Sequence, residues 1–199
     1  MIELKVFAGG YVTFDAEEWT ELEEKLEYSS YKKGEMIHFS HDIWDALYFV
    51  RSGLIRSCLV TGVDKASTRQ LHFNNDKATI LNLFVVDYNS MSKQIPGTIG
   101  FEVLEDCELV RISTETIDYL HSISKKWERL SRMLLESAYI ESSAFYQSII
   151  NRPAKENYLH IRDNMSHLID LVPQYHLATY IGITPVSLSR IKQELDFET

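Results

Sequence analysis

The segment from Gln174 to Leu195, which reads QYHLATYIGITPVSLSRIKQEL, constrains the fold of this chain more than any other part. Three apolar residues near its start recur at helical spacing: Leu177, Ala178 and Ile181. Gly182 then interrupts the pattern, and glycine readily takes the left-handed conformation that ends a helix. Thr184 is a favourable N-cap, and Pro185 suits the first position of a new helix. The segment therefore predicts two helices joined by a tight turn.

The second predicted helix has an apolar side and a polar side. The apolar side carries residues separated by three and seven positions: Leu188, Ile191 and Leu195. The outer side carries small polar and basic residues: Ser187, Ser189, Arg190 and Gln193. In a helix-turn-helix, such a helix enters the major groove of duplex DNA. An ordinary helical hairpin also has an apolar and a polar side. Evidence from the rest of the chain is therefore needed to distinguish a DNA-binding helix-turn-helix from such a hairpin.

The composition is that of an ordinary globular protein and excludes several classes of protein. Hydrophobic residues make up 45% of the 199 residues, and charged residues make up 25%. No apolar run approaches the roughly 18 residues that cross a bilayer, and the N-terminus lacks a secretory pattern. The two cysteines, Cys58 and Cys107, form no CxxC motif and predict neither a disulfide framework nor a zinc or iron–sulfur site. We therefore expect a cytoplasmic protein with no membrane contact and no cofactor.

The charge is acidic overall but unevenly distributed. The net charge is −9; residues 1–149 hold 15 Lys and Arg against 23 Asp and Glu, whereas residues 150–199 hold 5 against 6. This balance argues against a protein whose whole surface is positively charged and binds nucleic acid. Attraction to phosphate must come from a local cluster such as Arg190 and Lys192. Two copies on one duplex would compensate for the weak affinity of a single copy.

The N-terminal part of the chain predicts a helix over residues 13–27 and then a series of strands. Six segments rich in β-branched and aromatic residues follow: Met36–Phe39, Ala46–Arg51, Leu54–Val60, Thr68–Phe73, Ile99–Leu104 and Glu108–Ile112. Turn formers separate them, among them Ser52-Gly53, Gly62 with Asp64, and Glu105-Asp106. Short strands at this spacing are typical of an antiparallel sandwich or roll.

A long helix is predicted from Ser124 to Ile150, a stretch without glycine or proline. One apolar stripe comprises Trp127, Leu130, Leu134 and Ala138, and a second comprises Leu135, Tyr139, Tyr146 and Ile149. A helix with two apolar stripes usually packs on its own domain and on another element, and the simplest such element is a second copy across a two-fold axis. We assign the first stripe to this dimer interface; the alternative is a helix buried in its own core. Pro153 follows and divides the chain into domains of residues 1–150 and 151–199.

Four segments in this order resemble the Crp/Fnr family of transcription regulators: YKKGEMI, LYFVRSGLIRSCLV, EVLEDCELVRIS and LATYIGITPVSLSRI. The resemblance covers nearly the whole chain and implies an α+β fold. Its parts are an N-terminal antiparallel β-roll (a cyclic-nucleotide-binding-like double-stranded β-helix), a long dimerisation helix and a C-terminal winged-helix-like helix-turn-helix domain. The chain stops four residues after Leu195, so we expect the strands that follow in some members to be missing.

The same resemblance implies a homodimer that binds a palindromic operator in double-stranded DNA, with RNA polymerase and a small-molecule effector as further candidate partners. Arg190 matches a base-reading arginine of the family, and its forked donors can span guanine O6 and N7. Val186 departs from the glutamate of many relatives and could instead touch a thymine methyl group. The hydroxyl groups of Thr184, Ser187 and Ser189 are expected to contact DNA phosphates. The predicted DNA-binding residues are Thr184, Pro185, Val186, Ser187, Ser189, Arg190 and Lys192.

The expected effector pocket departs from the family's pattern. Thr79 and Ile80 stand near the family's Gly-Glu pair, and Thr98 stands about where its phosphate-binding arginine should be. A buried phosphate without a matched charge and amide cradle is costly, so we predict that cyclic AMP is not the ligand. Gly97, Thr98 and Gly100 form either an anion-binding backbone nest or, as we prefer, a plain loop. The ligand-binding residues of this degenerate pocket are left near Thr79, Ile80, Gly97 and Thr98.

Two alternatives remain open from the sequence. A metal-dependent enzyme of cupin type would use Glu35, His38, His41 and His72, but strand alternation places His38 and His41 on opposite faces. No GxSxG elbow, P-loop or dinucleotide motif is present, so we expect no enzyme. The second alternative keeps the fold without a sensor, as a ligand-free interaction platform regulated by protein abundance.

Overall fold

The computed structural model describes residues 2–60 and 66–197, so the turn predicted at Gly62 and Asp64 lies outside the described residues. The elements run in chain order as α1 Leu4–Gly9, α2 Ala16–Glu23, β1 Glu27–Tyr31, β2 Met36–His38, β3 Ala46–Val60, β4 Ala66–His72, α3 Ile80–Leu83, β5 Phe84–Val85, α4 Tyr88–Lys93, β6 Ile99–Ser113, α5 Thr114–Ile123, α6 Lys125–Asn151, α7 Ala154–Asn164, α8 Ser166–Ile169, α9 Gln174–Tyr180 and α10 Pro185–Phe197.

The strands form one antiparallel sheet in the order β1-β6-β3-β4, with β2 also paired to β6 and β5 to β3. The two long strands, β3 and β6, pair from Ala46 opposite Ser113 to Leu59 opposite Ile99. Apolar side chains from both strands fill the interior of the roll, where Ile55, Phe101 and Val103 have no exposed surface. The predicted α+β fold with an N-terminal β-roll is confirmed.

The turns predicted at Ser52-Gly53 and Glu105-Asp106 are wrong, because β3 and β6 each run through them. The pairing register shifts between Val50 and Leu54, and such irregularities let two paired strands bend together. Gly53 lies at the bend with a φ of +87°, in the left-handed region. A Cβ there would overlap the carbonyl oxygen of Asp106 and lie 2.5 Å from the Cβ of Cys107. Gly53 is therefore required at a bend within β3, and it is not part of a hairpin turn.

Replacing Gly53 with alanine should lower the free energy of unfolding by about 2–4 kcal/mol, because the methyl group adds both backbone strain and steric overlap. Gly9→Ala is the matched control, since a Cβ at Gly9 would meet nothing within 4 Å. Urea unfolding of both variants provides the measurement. Equal midpoints for the two variants would contradict the role given to Gly53.

The N-terminal helix is shorter than predicted. Asp15 caps α2, accepting a hydrogen bond from the amide of Glu18 at 2.9 Å in a capping box, and the helix ends at Glu23. The next residues leave the helix and pair with β6, with Glu27 opposite Arg111. This strand, β1, and the short helix α1 were not predicted, because neither has a strong periodic pattern in the sequence.

The long helix α6 is confirmed, with Ser124 as its N-cap, but its predicted dimer stripe is wrong. Trp127 and Leu130 are only 3% and 8% exposed, because α1, α2 and α5 cover them within the same chain. Leu134 and Ala138 also pack on this domain. The exposed large apolar residues of α6 are Leu135, Tyr139, Ile140, Tyr146 and Ile150. Of these, Leu135, Tyr139 and Tyr146 belong to the second predicted stripe.

The helical segment after α6 packs on the outer surface of the roll. Its buried residues form one cluster with Leu54, Leu71 and Leu104 of the strands. The hydroxyl of Thr179 in α9 also accepts a hydrogen bond from the backbone amide of Thr68 in β4 at 3.0 Å. The division into domains at residue 150 stays a prediction, since this core includes residues from both sides of it. Between Thr114 and Phe197 the structure has no strand, so the described residues contain no wing.

Candidate functional site

The turn between α9 and α10 has the geometry that the sequence predicts. Gly182 has a φ of +76°, and the amide of Ile183 reaches back to the carbonyl of Ala178 at 2.9 Å. Thr184 accepts a hydrogen bond from the amide of Ser187 through its side chain at 3.2 Å, and α10 begins at Pro185. These contacts fix the direction in which α10 leaves the turn, and thereby the side chains that it exposes.

The two sides of α10 are clearly separated. Leu188 has no exposed surface, and Ile191 is 7% exposed, because both pack into the cluster shared with α9. On the opposite side, Val186 is 80% exposed, and the side chain of Arg190 is 76% exposed. Pro185 and Ser189 are exposed beside them. The N-terminal half of α10 therefore presents a free surface with one basic side chain.

Arg190 is held only loosely by its own chain. Its Nε lies 3.8 Å from a carboxylate oxygen of Glu194, one turn further along the helix. Exposed ion pairs of this kind contribute little free energy. The guanidinium group can therefore exchange Glu194 for another acceptor at small cost.

Three of the predicted DNA-contact residues need revision. Lys192 is half-buried, with its Nζ 5.9 Å from the centre of the Tyr158 ring, and helical spacing places it on the far side of α10 from Arg190. Lys192 therefore does not lie on the same surface as Arg190. The hydroxyls of Thr184 and Ser187 lie 2.9 Å apart and bond to each other, so the first role of both is to cap the helix.

The exposed stripe on α6 has the spacing of a helix-pairing seam. Leu135, Tyr139 and Tyr146 follow one another at intervals of four and seven residues, and their exposed fractions are 43%, 75% and 41%. Such a seam faces one direction along several turns of helix. Large apolar side chains in a continuous exposed row mark a contact surface.

In the loop before β6, a backbone amide is already hydrogen-bonded to a carboxylate of the chain itself. Asp87 is 2% exposed, and its two oxygens accept hydrogen bonds from the amides of Ser90 and Thr98 at 3.1 and 3.3 Å. A Cβ at Gly97 would lie 2.8 Å from the same carboxylate. The amide of Thr98 is therefore taken by Asp87, and the amide of Gly97 donates to the backbone carbonyl of Asp42 at 2.9 Å. A second anion at this loop would meet the charge of Asp87.

A cavity of about 730 Å³ lies between the roll and α6. This volume is within the usual range of about 300–1,000 Å³ for small-molecule sites. Of the four predicted pocket residues, Ile80 lines the cavity, whereas Thr79, Gly97 and Thr98 do not. The sequence missed the rest of the lining because it comes from separated elements: Ser57, Gln70, His72, Phe101, Leu135 and Tyr146.

The histidines named for a metal site are not brought together. In the described residues, no group of three or more His, Cys, Asp or Glu side chains could hold a metal ion. The ring of His38 packs edge-on against Trp44, His41 is exposed, and His72 is buried in the roll. Burial lowers the pKa of His72 to about 4, although the backbone carbonyls of Phe84 and Leu81 act to raise it. The described helices include none that could span a membrane.

Comparisons with solved structures identify the fold. FixK2 from Bradyrhizobium japonicum superimposes with a TM-score of 0.68 at 14% identity, over 87% of this chain and 85% of that protein. The c-di-GMP responsive global regulator CLP of Xanthomonas campestris gives a TM-score of 0.65 at 14% identity, over 92% and 93%. A protein from Eubacterium rectale assigned to the crp/fnr family of transcriptional regulators gives 0.67 at 17% identity, over 93% and 85%.

No protein-family model and no curated protein sequence matches the chain significantly. At identities of 14% and 17%, the likeness to the solved structures establishes the architecture of the chain. The chain thus has the Crp/Fnr-like fold, with a cyclic-nucleotide-binding-like roll, a long helix and a C-terminal helix-turn-helix.

Proposed function

We propose that this chain is a DNA-binding transcription regulator that binds a two-fold symmetric operator as a homodimer. The observation that carries the proposal is the exposed N-terminal half of α10, which a capped turn holds outward while Leu188 and Ile191 fix its other side in the core. A helix that presents exposed side chains near its N-terminus has the geometry of a recognition helix in the major groove.

The exposed residues of α10 suit the reading of base edges. The guanidinium of Arg190 can donate two hydrogen bonds to O6 and N7 of a guanine. Val186, which is 80% exposed, offers a methyl surface to the methyl group of a thymine. Pro185 and Ser189 are exposed beside them. Only one cation stands on this surface, so a single copy would bind weakly.

A homodimer supplies the missing affinity. The seam of Leu135, Tyr139 and Tyr146 on α6 is apolar, exposed and long enough to pair with its own copy across a two-fold axis. Pairing would join two α10 helices into one binding unit. Simultaneous engagement of two sites commonly raises affinity by a factor of about 10²–10⁴.

Cyclic AMP is not the proposed effector. Before β6, the amide of Thr98 donates to Asp87 and the amide of Gly97 donates to the carbonyl of Asp42. Among the described residues that line the cavity, Arg69 is the one lysine or arginine. Its Nε already donates to the hydroxyl of Tyr146 at 2.9 Å, at an exposed position. A cyclic phosphate inside the roll would therefore lose its hydration without gaining a matched cation.

Arg190→Ala tests the proposed reading surface. The substitution should weaken binding to a selected duplex by about 1–3 kcal/mol and relax the preference at one base pair in each half-site, because the forked donors are lost. Arg51→Ala is the matched control, since Arg51 is a half-exposed arginine on the roll that pairs with Glu108. Fluorescence anisotropy at a fixed salt concentration measures both variants. Unchanged affinity and unchanged base preference in the Arg190 variant would remove α10 from the interface.

A further inference from the structure

The strand β4 has a β-bulge at Arg69. Its partner strand β3 pairs Ser57 with Gln70 and Cys58 with Thr68, so Arg69 is an extra residue with no residue opposite it. β4 also ends the strand order β1-β6-β3-β4, so among the described strands only β3 pairs with it. A bulge on an edge strand changes the direction of the groups around it. The residues at the bulge can therefore contact elements outside the sheet.

Two adjacent residues at this bulge contact two different helices. The Nε of Arg69 donates a hydrogen bond to the hydroxyl of Tyr146 on α6 at 2.9 Å. The backbone amide of Thr68 donates to the hydroxyl of Thr179 on α9 at 3.0 Å. One strand thus connects the helix that carries the exposed seam with the helix that precedes α10. The position of α9 relative to α6 therefore depends in part on β4.

The hydroxyl of Thr179 makes a specific contact with the strand. It donates to the carbonyl of His176 in the preceding turn of α9 at 2.9 Å, and it accepts from the amide of Thr68. Thr68 is only 5% exposed, so removal of the Thr179 oxygen would take the acceptor away from a buried N–H group. A buried N–H group without an acceptor is costly. The hydroxyl therefore favours one position of α9 on β4.

A buried ion pair holds the strand side of this contact. The side chain of Arg56 is 6% exposed, and its Nε and Nη2 lie 2.8 and 2.5 Å from one carboxylate oxygen of Glu102. The Nη1 of Arg56 donates to the hydroxyl of Thr68 at 3.3 Å. Buried polar networks whose members are paired hold them in one arrangement. Arg56 thus fixes the residue to which α9 is bonded.

We propose that Thr179 is a positioning residue for DNA reading, whose bond to Thr68 sets the separation of the two α10 helices in the dimer. This rests on the proposed function, because it requires a homodimer that reads two half-sites. The capped turn at Gly182 and Thr184 joins α9 to α10, so a shift of α9 on β4 moves α10 with it. Thr179 lies outside α10. It therefore acts on the distance between the two reading helices and leaves the base contacts of each unchanged.

The selectivity for half-site spacing tests this role, because a loss of stability alone does not change it. The duplexes carry the selected half-sites at the preferred spacing, at spacings longer or shorter by one or two base pairs, or as a single half-site. The full-length parent should bind the altered spacings about a hundredfold more weakly, because joint engagement of two sites depends on their geometry. Thr179→Val keeps the shape of the side chain without its hydroxyl. It should reduce that penalty to less than about tenfold and leave binding to the single half-site unchanged.

Three further variants separate the hydroxyl from a general effect on packing. Thr179→Ser keeps the hydroxyl and should restore the selectivity of the parent. Thr20→Val is the matched control, because the exposed Thr20 donates to the carbonyl of Ala16 within its own helix α2; it should retain the selectivity of the parent. Arg56→Gln alters the strand side of the contact while α9 keeps its sequence, and it should also weaken the selectivity.

The positioning role would be overturned by unchanged spacing selectivity in Thr179→Val, or by an equal loss of selectivity in Thr179→Ser and Thr179→Val. If Thr179→Val also lost binding to the single half-site, Arg56→Gln would decide, and unchanged selectivity there would overturn the role. The proposed function fails separately, in a parent protein that binds no selected duplex. A parent with sharp selectivity that Thr179→Val retains would remove only the positioning role.

Discussion

Replacing Tyr139 with glutamate should convert the proposed dimer into a monomer and weaken operator binding by on the order of a hundredfold or more. Tyr139 is 75% exposed on α6, at the centre of the apolar seam. In a two-fold interface the substitution appears twice, so two carboxylates would face each other where two rings had packed. Each carboxylate would also lose hydration, and like charges that are buried together are strongly unfavourable. A monomer retains one α10 helix and loses the joint binding of two half-sites.

The matched control is Tyr28→Glu. Tyr28 is a tyrosine of similar exposure, 65%, on the edge strand β1 of the roll. Sedimentation equilibrium should report a dimer for the parent and for this control, and a monomer for the Tyr139 variant. Anisotropy titrations on the same operator then relate the change in mass to the change in affinity. A Tyr139 variant that remained a dimer would show that α6 pairs through another surface.

His72→Phe should make the protein less sensitive to acid. The pKa of His72 is lowered by burial from 6.5 to about 4 in the folded chain. The unfolded chain binds a proton as the pH falls through 6.5, whereas the folded chain does so only near 4, so stability is lost across this window as the pH falls. Between pH 7 and about pH 5 this single residue should remove about 2 kcal/mol from the free energy of unfolding. The variant should not lose that amount.

Urea unfolding at the two pH values gives the comparison. His41→Gln is the control, because His41 is exposed, and it should lose as much stability as the parent. The decisive quantity is the difference between the two pH values within each protein, which cancels any constant effect of the phenylalanine on packing. If the parent and the His72 variant lost equal stability, His72 would not be held neutral by its burial.

The parts of the fold that the sequence predicted well are those with strong local signals. Gly182, Thr184 and Pro185 each have a conformational preference that acts within a few residues, and together they placed the turn and the start of α10. The long helix α6 was predicted for a similar reason, because its stretch lacks helix breakers. The distinction between a turn and a strand bend at Gly53 was not available locally. It depends on the carbonyl of Asp106, which is distant in sequence.

The assignment of the two stripes on α6 failed for a related reason. Trp127 and Tyr139 both lie on apolar stripes, and periodicity alone cannot say which one the chain covers itself. The structure decides this through Phe14 and Trp19, which contact the ring of Trp127 from distant parts of the chain. The cavity was equally hidden, because its lining residues come from elements that are distant in sequence.

Selection of duplexes from a random pool by the purified full-length protein, at a stated salt concentration, tests the central claim most directly. If two α10 helices read DNA from a symmetric dimer, the enriched sequences should contain two inverted half-sites with centres about 10 base pairs, or one helical turn, apart. Each half-site should include a guanine whose enrichment disappears in Arg190→Ala. Enrichment of a single asymmetric site, or no enrichment at all, would contradict the account.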